Sequence, residues 1–151
     1  ENKSYVPYVV ETSIGLDRMF LAVFSNSLQE EELENGTTRT ALKLPSVLAP
    51  VKAAILPLVK KDGLPEIARK IVADLKWDFN VAYDEKDAVG RRYRSQEANG
   101  SPFCITVEHD TLEDNTVTIR HRDTMEQQRV KISELKGIID QEVNAKSWLP
   151  K

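Results

Sequence analysis

Asn115–Ile132 has the sequence NTVTIRHRDTMEQQRVKI, and this stretch decides the fold. Apolar and polar residues alternate before the polar turn at residues 123–128 and again after it, as the two-residue period of a β-strand requires. Val117 and Ile119 fall on one face of the first strand, whereas Arg120 falls on the other. The pattern predicts a β-hairpin with one apolar and one cationic face. Because an isolated two-stranded ribbon is only marginally stable in water, the apolar face needs a partner sheet.

The middle of the chain supplies that sheet. Residues 51–59 are nearly all apolar, which predicts a central strand covered on both faces. Apolar residues then recur at three- and four-residue steps from Leu64 to Leu75, which predicts a helix with Pro65 tolerated in its first turn. Apolar residues alternate again over 79–83 as a second strand. A strand–helix–strand unit of this kind should be parallel and right-handed.

A weaker helix, a third strand and a final helix complete the predicted module. The weaker helix covers residues 87–99, the strand covers 102–107, and Ser133 can cap a last helix after the hairpin. A connector with two prolines at residues 41–50 precedes the module. We therefore predict an α/β fold, in which a five-stranded mixed sheet packs with three helices.

The N-terminal part of the chain reads differently. Residues 5–14 predict a strand, and a helix of about three turns begins at Leu16, where Asp17 or Ser13 could serve its N-terminus. The acidic run at residues 30–34 predicts an exposed loop. Because one strand and one helix cannot bury their own apolar faces, this segment looks like the edge of another domain.

Composition limits the function classes. The net charge is −3, so binding to nucleic acid would require a local basic patch. The single cysteine, Cys104, excludes an internal disulfide and fits a reducing compartment, where it should be a small core residue. No apolar run approaches the roughly 18 residues of a membrane span. The chain opens on Glu1 with no visible secretory signal, so we expect a piece of a longer, cytoplasmic protein that does not contact a membrane.

The predicted α/β module shows no evident catalytic site of its own. His109 and His121 are not spaced with carboxylates in a metal-binding pattern, so no metal site is predicted. Residues 51–151 contain no nucleophile–base pair and no phosphate-binding glycine loop.

Four strings together resemble one family. Residues 7–18, PYVVETSIGLDR, resemble the third signature motif of class II aminoacyl-tRNA synthetases. Residues 90–93 (GRRY), 99–102 (NGSP) and 118–123 (TIRHRD) resemble the anticodon-binding domain shared by glycyl, threonyl, prolyl and histidyl enzymes. In this order and spacing, the chain is similar to the C-terminal part of a homodimeric glycyl-tRNA synthetase. The resemblance implies that residues 1–44 end a catalytic domain and that residues 45–151 form the anticodon-binding domain.

The resemblance assigns ligands to the first segment. Glu11 would hold the ammonium group of glycine, for which a carboxylate is a natural partner. Gly15 would let the backbone approach the ligand closely, because it has no Cβ. Arg18 would lie against the adenine of ATP and reach a phosphate, since a guanidinium is planar for stacking and forked for phosphate. The implied glycine-binding residues are Glu11, Thr12, Ser13, Ile14 and Gly15, and the implied ATP-binding residues are Gly15, Leu16, Asp17 and Arg18.

For the second segment, the resemblance implies recognition of the tRNA anticodon. RNA sequence is read mainly in single-stranded loops, by stacking and by hydrogen bonds to base edges. Asp123 could accept a hydrogen bond from a cytosine amino group, and glycine anticodons end in two cytosines. The candidate anticodon contacts are Arg120, Arg122, Asp123, Gln127, Arg129 and Lys131.

The resemblance also implies what the parent enzyme does. It would activate glycine with ATP and Mg²⁺, transfer glycine to tRNA(Gly), and act as a homodimer. The first two class II motifs are absent from this chain, so the electrostatic clamp on the reacting phosphate is incomplete. We therefore expect this chain alone to be inactive and to hold no cofactor.

Plainer interpretations remain open. Arg120 and Arg122 could form a solvated strand face, because exposed charge pairs are common and weak. Arg91, Arg92 and Arg94 could pack and decorate a helix. The main functional alternative is a non-catalytic nucleic-acid-binding protein that reuses the domain, such as a polymerase accessory subunit. A second alternative, a small α/β enzyme in its own right, lacks a recognisable site.

Overall fold

The structure, a computed structural model, describes residues 3–32 and 36–147. Five helices and seven strands follow one another along this part of the chain, with a short 3₁₀ turn before and after the last helix. Their order is α1 (Leu16–Ser27), β1 (Leu28–Glu32), β2 (Thr38–Leu42), β3 (Ala53–Pro57), α2 (Leu64–Leu75), β4 (Val81–Tyr83), α3 (Val89–Ala98), β5 (Phe103–Val107), α4 (Thr111–Asp114), β6 (Thr116–His121), β7 (Gln127–Lys131) and α5 (Leu135–Val143).

A five-stranded sheet forms the centre of the larger unit, with strand order β4-β3-β5-β6-β7. Strand β3 runs parallel to both β4 and β5, whereas β5, β6 and β7 are antiparallel to their neighbours. The predicted mixed sheet and its three helices, which correspond to α2, α3 and α5, are therefore confirmed. The single turn of α4 lies between β5 and β6.

The two faces of this sheet are covered by different helices. On one face, residues such as Ile55, Ile105 and Val117 are fully buried against apolar side chains of α2 and α5. On the other face, a smaller cluster includes Leu56 and Cys104 and packs against Tyr93 of α3. Cys104 is only 3% exposed, which confirms that it is a core residue, and this burial raises the pKa of its thiol to about 12. The result is a three-layer arrangement with the larger hydrophobic core on the α2–α5 side.

The predicted N-terminal strand is wrong. Residues 3–15 have no regular secondary structure, because a strand needs a hydrogen-bonded neighbour and the described residues provide none here. The helix predicted from Leu16 is confirmed as α1. No side chain caps its N-terminus, so neither Asp17 nor Ser13 has the predicted capping role; the N-cap is Gly15, whose carbonyl accepts from the Met19 N–H.

The acidic run is also different from the prediction. Residues 30–32 belong to β1, which pairs with β2 in an antiparallel hairpin, so the predicted loop is wrong there; residues 33 and 34 lie outside the described residues. The pairing places Glu31 directly opposite Arg39. Arg39 donates to the Glu31 carboxylate at 2.8 Å, and Lys43 forms a second ion pair with it. The acidic run is therefore compatible with a strand because Arg39 and Lys43 pair with Glu31 across the hairpin.

Within the described residues, no helix combines the length and the hydrophobicity needed to cross a lipid bilayer.

Candidate nucleic-acid interface

One face of the β6–β7 hairpin carries most of the predicted RNA contacts. The strand register pairs Arg120 with Gln127, Thr118 with Arg129, and Thr116 with Lys131. Because directly opposed residues of antiparallel strands point to the same face, these side chains share one surface. We call Thr116, Thr118, Arg120, Gln127, Arg129 and Lys131 the polar face of the hairpin. The opposite face carries Val117 and Val130 and packs into the core, as the alternating pattern predicted.

Arg120 is held at the boundary between this polar face and helix α3. Its guanidinium carbon lies 5.0 Å from the centroid of the Tyr93 ring, in the range of a cation–π contact. Its Nε donates to the Glu97 carboxylate at 3.3 Å, and one Nη donates to the Met125 carbonyl at 3.4 Å. The side chain retains 17% exposure. Arg120 is therefore fixed by protein contacts and still reachable from solvent.

Tyr93 is fixed in turn from the sheet beneath it. Its hydroxyl lies 2.5 Å from the hydroxyl of Thr106 on β5. Burial raises the pKa of Tyr93 despite this hydrogen bond, so the phenol stays neutral at physiological pH. The neutral ring and the Arg120 guanidinium therefore lie in contact at this edge of the polar face.

Arg129 lies among carboxylates at the other end of the polar face. It donates to Glu108 at 2.9 Å, to Asp110 at 3.3 Å and to Asp114 at 3.4 Å, and to the Thr116 hydroxyl at 2.6 Å. Hydrogen bonds from Thr116, with a smaller contribution from Arg129, lower the pKa of Asp114. The local charge here is negative rather than positive. Gln127 and Lys131 are exposed, as is Arg129 itself.

Arg122 does not belong to the polar face. It is only 3% exposed, and its Nη atoms donate to the carbonyls of Leu42, Gly100 and Leu44 at 2.8–3.1 Å. Its Nε and one Nη also bind both oxygens of Asp123. These bonds use all five N–H groups of the guanidinium, so the predicted RNA contact by Arg122 is wrong. Arg122 instead links the end of β2 and the residues after it to the α/β unit through these hydrogen bonds.

The residues around Arg122 are adapted to this role. Gly100 has a φ of +82°, and a Cβ there would lie 3.2 Å from a Leu44 methyl carbon, so only glycine fits without strain. Burial raises the pKa of Asp123, but the hydrogen bonds and charge of Arg122 outweigh burial and lower it overall. The Asp123 side chain is about one-third exposed, so its carboxylate also faces solvent.

A second ion-pair cluster was not anticipated from the sequence. Glu97 of α3 accepts from Arg39 of β2 at 3.1 Å as well as from Arg120 of β6. The side chains of Glu97 and Arg39 are 4% and 5% exposed, respectively. The two partners are 58 residues apart in the chain, and neither lies in a local pattern that signals a long-range pair. Only the packing of β2 against α3 brings them together.

The predicted glycine and ATP residues are not gathered into a site. They comprise Glu11, Thr12, Ser13, Ile14, Gly15, Leu16, Asp17 and Arg18, and all are exposed. Across the described parts of the chain, their side chains make no hydrogen bond or ion pair. Residues 3–32 and 36–147 also contain no group of three or more His, Cys, Asp or Glu side chains placed to hold a metal ion.

Sequence comparison links the sheet-containing unit to RNA recognition. A family described as an anticodon binding domain matches residues 52–142. A glycine–tRNA ligase of Borrelia hermsii is 49% identical over 139 residues, which cover 92% of this chain and 31% of that relative. A glycine–tRNA ligase of Rhodopirellula baltica is 53% identical over 148 residues, covering 95% of this chain and 28% of the relative. The chain thus spans less than a third of the length of these curated relatives.

Solved structures show the same fold at lower identity. A prolyl-tRNA synthetase from Cryptosporidium parvum, complexed with halofuginone and AMPPNP, superposes with a TM-score of 0.61 at 23% identity, covering 76% of this chain and 31% of that one. The RNA binding domain of a threonyl-tRNA synthetase from Cryptosporidium parvum gives a TM-score of 0.60 at 22% identity, covering 66% of this chain and 25% of that one.

Proposed function

Since this chain belongs to the anticodon binding domain family and corresponds to the C-terminal part of glycine–tRNA ligases, we propose that it binds the anticodon loop of tRNA(Gly) through the polar face of the hairpin. The observation that carries this proposal is the position of Arg120. It lies within the matched region, contacts the Tyr93 ring, and remains accessible opposite the exposed Gln127.

The chemistry of this surface suits an unpaired base. An aromatic ring and a guanidinium plane are the groups on which splayed RNA bases stack. The amide of Gln127 can donate to and accept from a base edge, and Lys131 can neutralise a phosphate. Asp123 is a further candidate as an acceptor for a cytosine amino group. Arg129 is a weaker candidate for a phosphate contact, because its guanidinium is already surrounded by three carboxylates.

The parent enzyme is proposed to be a glycine–tRNA ligase that works in the cytoplasm as a homodimer. In that protein, Glu11 and Ser13 would bind glycine, Arg18 would bind ATP, and Mg²⁺ would neutralise the phosphates. The division of the chain between residues 44 and 45 is part of this proposal. The large exposed apolar residues of α1 support it, because an unpartnered apolar helix face is typical of a contact surface. The 151-residue chain by itself is proposed not to activate glycine.

Substitution of Arg120 tests the proposed RNA surface. We expect Arg120→Ala to weaken binding of tRNA(Gly) by about 1–3 kcal/mol, as the loss of one direct base or phosphate contact would. Affinity is measured by fluorescence anisotropy over a series of salt concentrations. If the lost contact is to a phosphate, the log–log salt slope falls by about 0.7, whereas loss of a base contact leaves the slope unchanged.

Arg69 offers a matched control. Its guanidinium lies 5.4 Å from the centroid of the Tyr83 ring and pairs with Glu85, in a geometry close to that of Arg120, but on helix α2 across the sheet. Arg69→Ala removes the same charge and the same type of stacking contact, and should leave tRNA affinity unchanged apart from a small non-specific electrostatic term. Equal losses in the two variants would contradict a specific role for the polar face.

A further inference from the structure

Glu97 is a buried carboxylate shared by two arginines from different parts of the fold. One oxygen accepts from Arg39 at 3.1 Å and the other accepts from Arg120 at 3.3 Å. Of the three side chains, only Arg120 is appreciably exposed. Arg39 is also bound to Glu31 within the β1–β2 hairpin and to the Arg122 carbonyl. The cluster therefore runs from the β1–β2 hairpin through α3 to the polar face of β6.

We propose that Glu97 is a positioning residue for anticodon discrimination, and that Arg39 allows it to act in this way. Glu97 holds the guanidinium of Arg120 against Tyr93 before RNA binds. When Arg120 donates a hydrogen bond to a base in place of Glu97, Arg39 remains as the ion-pair partner of Glu97. This proposal rests on the function proposed above and adds a mechanism by which the β1–β2 hairpin influences RNA recognition.

The first physical argument concerns the order of the free arginine. An exposed arginine side chain loses considerable rotamer entropy when it is fixed on a ligand. Glu97, Tyr93 and the Met125 carbonyl already restrict Arg120 to one orientation in the unbound protein. Much of the side-chain entropy of Arg120 is thus already lost on folding, and less is lost on binding. This favours a contact that requires one geometry, such as a hydrogen bond to a base edge.

The second argument concerns charge. A carboxylate 3.3 Å from the guanidinium lowers the local positive potential, so Arg120 attracts phosphates less than an isolated arginine would. A base edge carries no net charge and is not repelled by Glu97. The pairing therefore favours base recognition over indiscriminate binding to the RNA backbone, which raises specificity by disfavouring the wrong ligand.

The third argument explains the second arginine. Leaving a buried carboxylate without a partner is strongly unfavourable, so Glu97 paired to Arg120 alone would resist any movement of Arg120 toward RNA. Arg39 is fixed on its other side by Glu31, and it stays in place when Arg120 moves. Lys43 also pairs with Glu31 and balances its negative charge at the β1–β2 hairpin. Because Arg39 also pairs with Glu97, Arg120 can contact RNA without leaving the carboxylate unpaired.

The test uses the full 151-residue chain and two RNA stem-loops. One carries the anticodon loop of tRNA(Gly), and the other has the same stem with the three anticodon bases replaced by uridines. The measured quantity is the dissociation constant for the uridine loop divided by the dissociation constant for the glycine anticodon loop. We expect Glu97→Gln to reduce this ratio about tenfold, within the range that one direct base contact supplies. The reduction should come from weaker binding of the glycine anticodon, with the uridine loop bound as well as before or slightly better.

Two further variants complete the experiment. Glu66→Gln makes the same change in net charge on α2, where the side chain is exposed, and should keep the wild-type ratio. Arg39→Gln leaves Glu97 with Arg120 as its main partner, and should weaken binding of the glycine anticodon several-fold although Arg39 itself is buried away from RNA. If Glu97→Gln fails to fold, the Arg39→Gln result decides the proposal alone.

The outcomes separate this proposal from the one on which it rests. A wild-type chain that binds neither stem-loop refutes the proposed function, whereas one that binds both equally overturns the proposed role of Glu97 in discrimination. A wild-type chain that discriminates, together with Glu97 and Arg39 variants that keep its ratio, refutes only the role of Glu97. A uniform loss of affinity for both loops, accompanied by a lower melting temperature, would mean that the cluster is merely structural and would also overturn the proposal.

Discussion

Helix α1 and helix α2 are both twelve residues long and both have apolar residues at helical spacing, yet their environments are opposite. On α2, Leu64 and Ala68 are fully buried against the sheet. On α1, Phe20 and Leu21 are 67% and 64% exposed. The comparison shows that an apolar stripe determines that a helix forms and which of its faces can pack against the protein. Whether that face is buried depends on the presence of a complementary surface. In this chain the surface for α2 is present, and the α1 stripe lies largely open to solvent.

The largest difference between the two regions should appear in core substitutions. Ile105→Ala removes a fully buried side chain between α2 and the sheet, and should lower the free energy of unfolding by about 2–5 kcal/mol. Leu21→Ala on α1 should change it by about 0.5 kcal/mol or less, because the side chain is mostly exposed. Urea denaturation followed by circular dichroism measures both. A comparable loss for Leu21→Ala would mean that α1 is buried in solution.

Arg122 tests the junction between the two regions. Arg122→Ala would leave the buried carbonyls of Leu42, Gly100 and Leu44 without their donor, and should destabilise the chain by about 1–3 kcal/mol. The same denaturation experiment gives this value, and Arg91→Ala, at an exposed position on α3, is the control. Unchanged stability together with reduced tRNA affinity would restore the RNA-contact interpretation of Arg122.

The smallest effect concerns pH. The folded-state pKa of Asp123 lies below its ordinary value of 3.8, because Arg122 outweighs the opposing effect of burial. Its contribution to stability is therefore fully present above about pH 4 and is lost as pH falls through the lower folded-state pKa. Since the side chain is partly exposed, we expect a contribution of about 0.5 kcal/mol or less. Urea midpoints of wild type and Asp123→Asn, measured from pH 7 to pH 3, should converge at low pH. A difference that grows on acidification would contradict this sign.

Much of the α/β unit was predictable because its signals are local. The alternation through Val117 and Ile119 reflects the two-residue repeat of a strand, and the stripe from Leu64 to Leu75 reflects the turn of a helix. The third strand, with Cys104 in the core, followed from the same reasoning. The placement of Arg120, Gln127, Arg129 and Lys131 on one face needed the strand register in addition.

The less successful predictions share one cause. The acidic residues 30–32 form a strand because β2 pairs with them and places Arg39 opposite Glu31. Residues 5–14 do not form one because the described residues give them no partner strand. Both outcomes depend on contacts between segments rather than on the segments themselves. Intrinsic β-propensity is correspondingly dependent on context.

The sequence by itself determined the fold class, the apolar and polar faces of the hairpin, and the resemblance to an anticodon-binding domain, since each follows from periodicity or from short contiguous strings. Only the tertiary structure decided which arginines stay accessible. Arg120 and Arg122 have the same charge and the same parity in the strand pattern, yet one lies over Tyr93 at the surface and the other is enclosed by backbone carbonyls. The pairing of Glu97 with Arg39 and Arg120 was equally beyond the sequence. Ion pairs between distant segments form only when those segments pack together, and such packing leaves no periodic pattern in the local sequence.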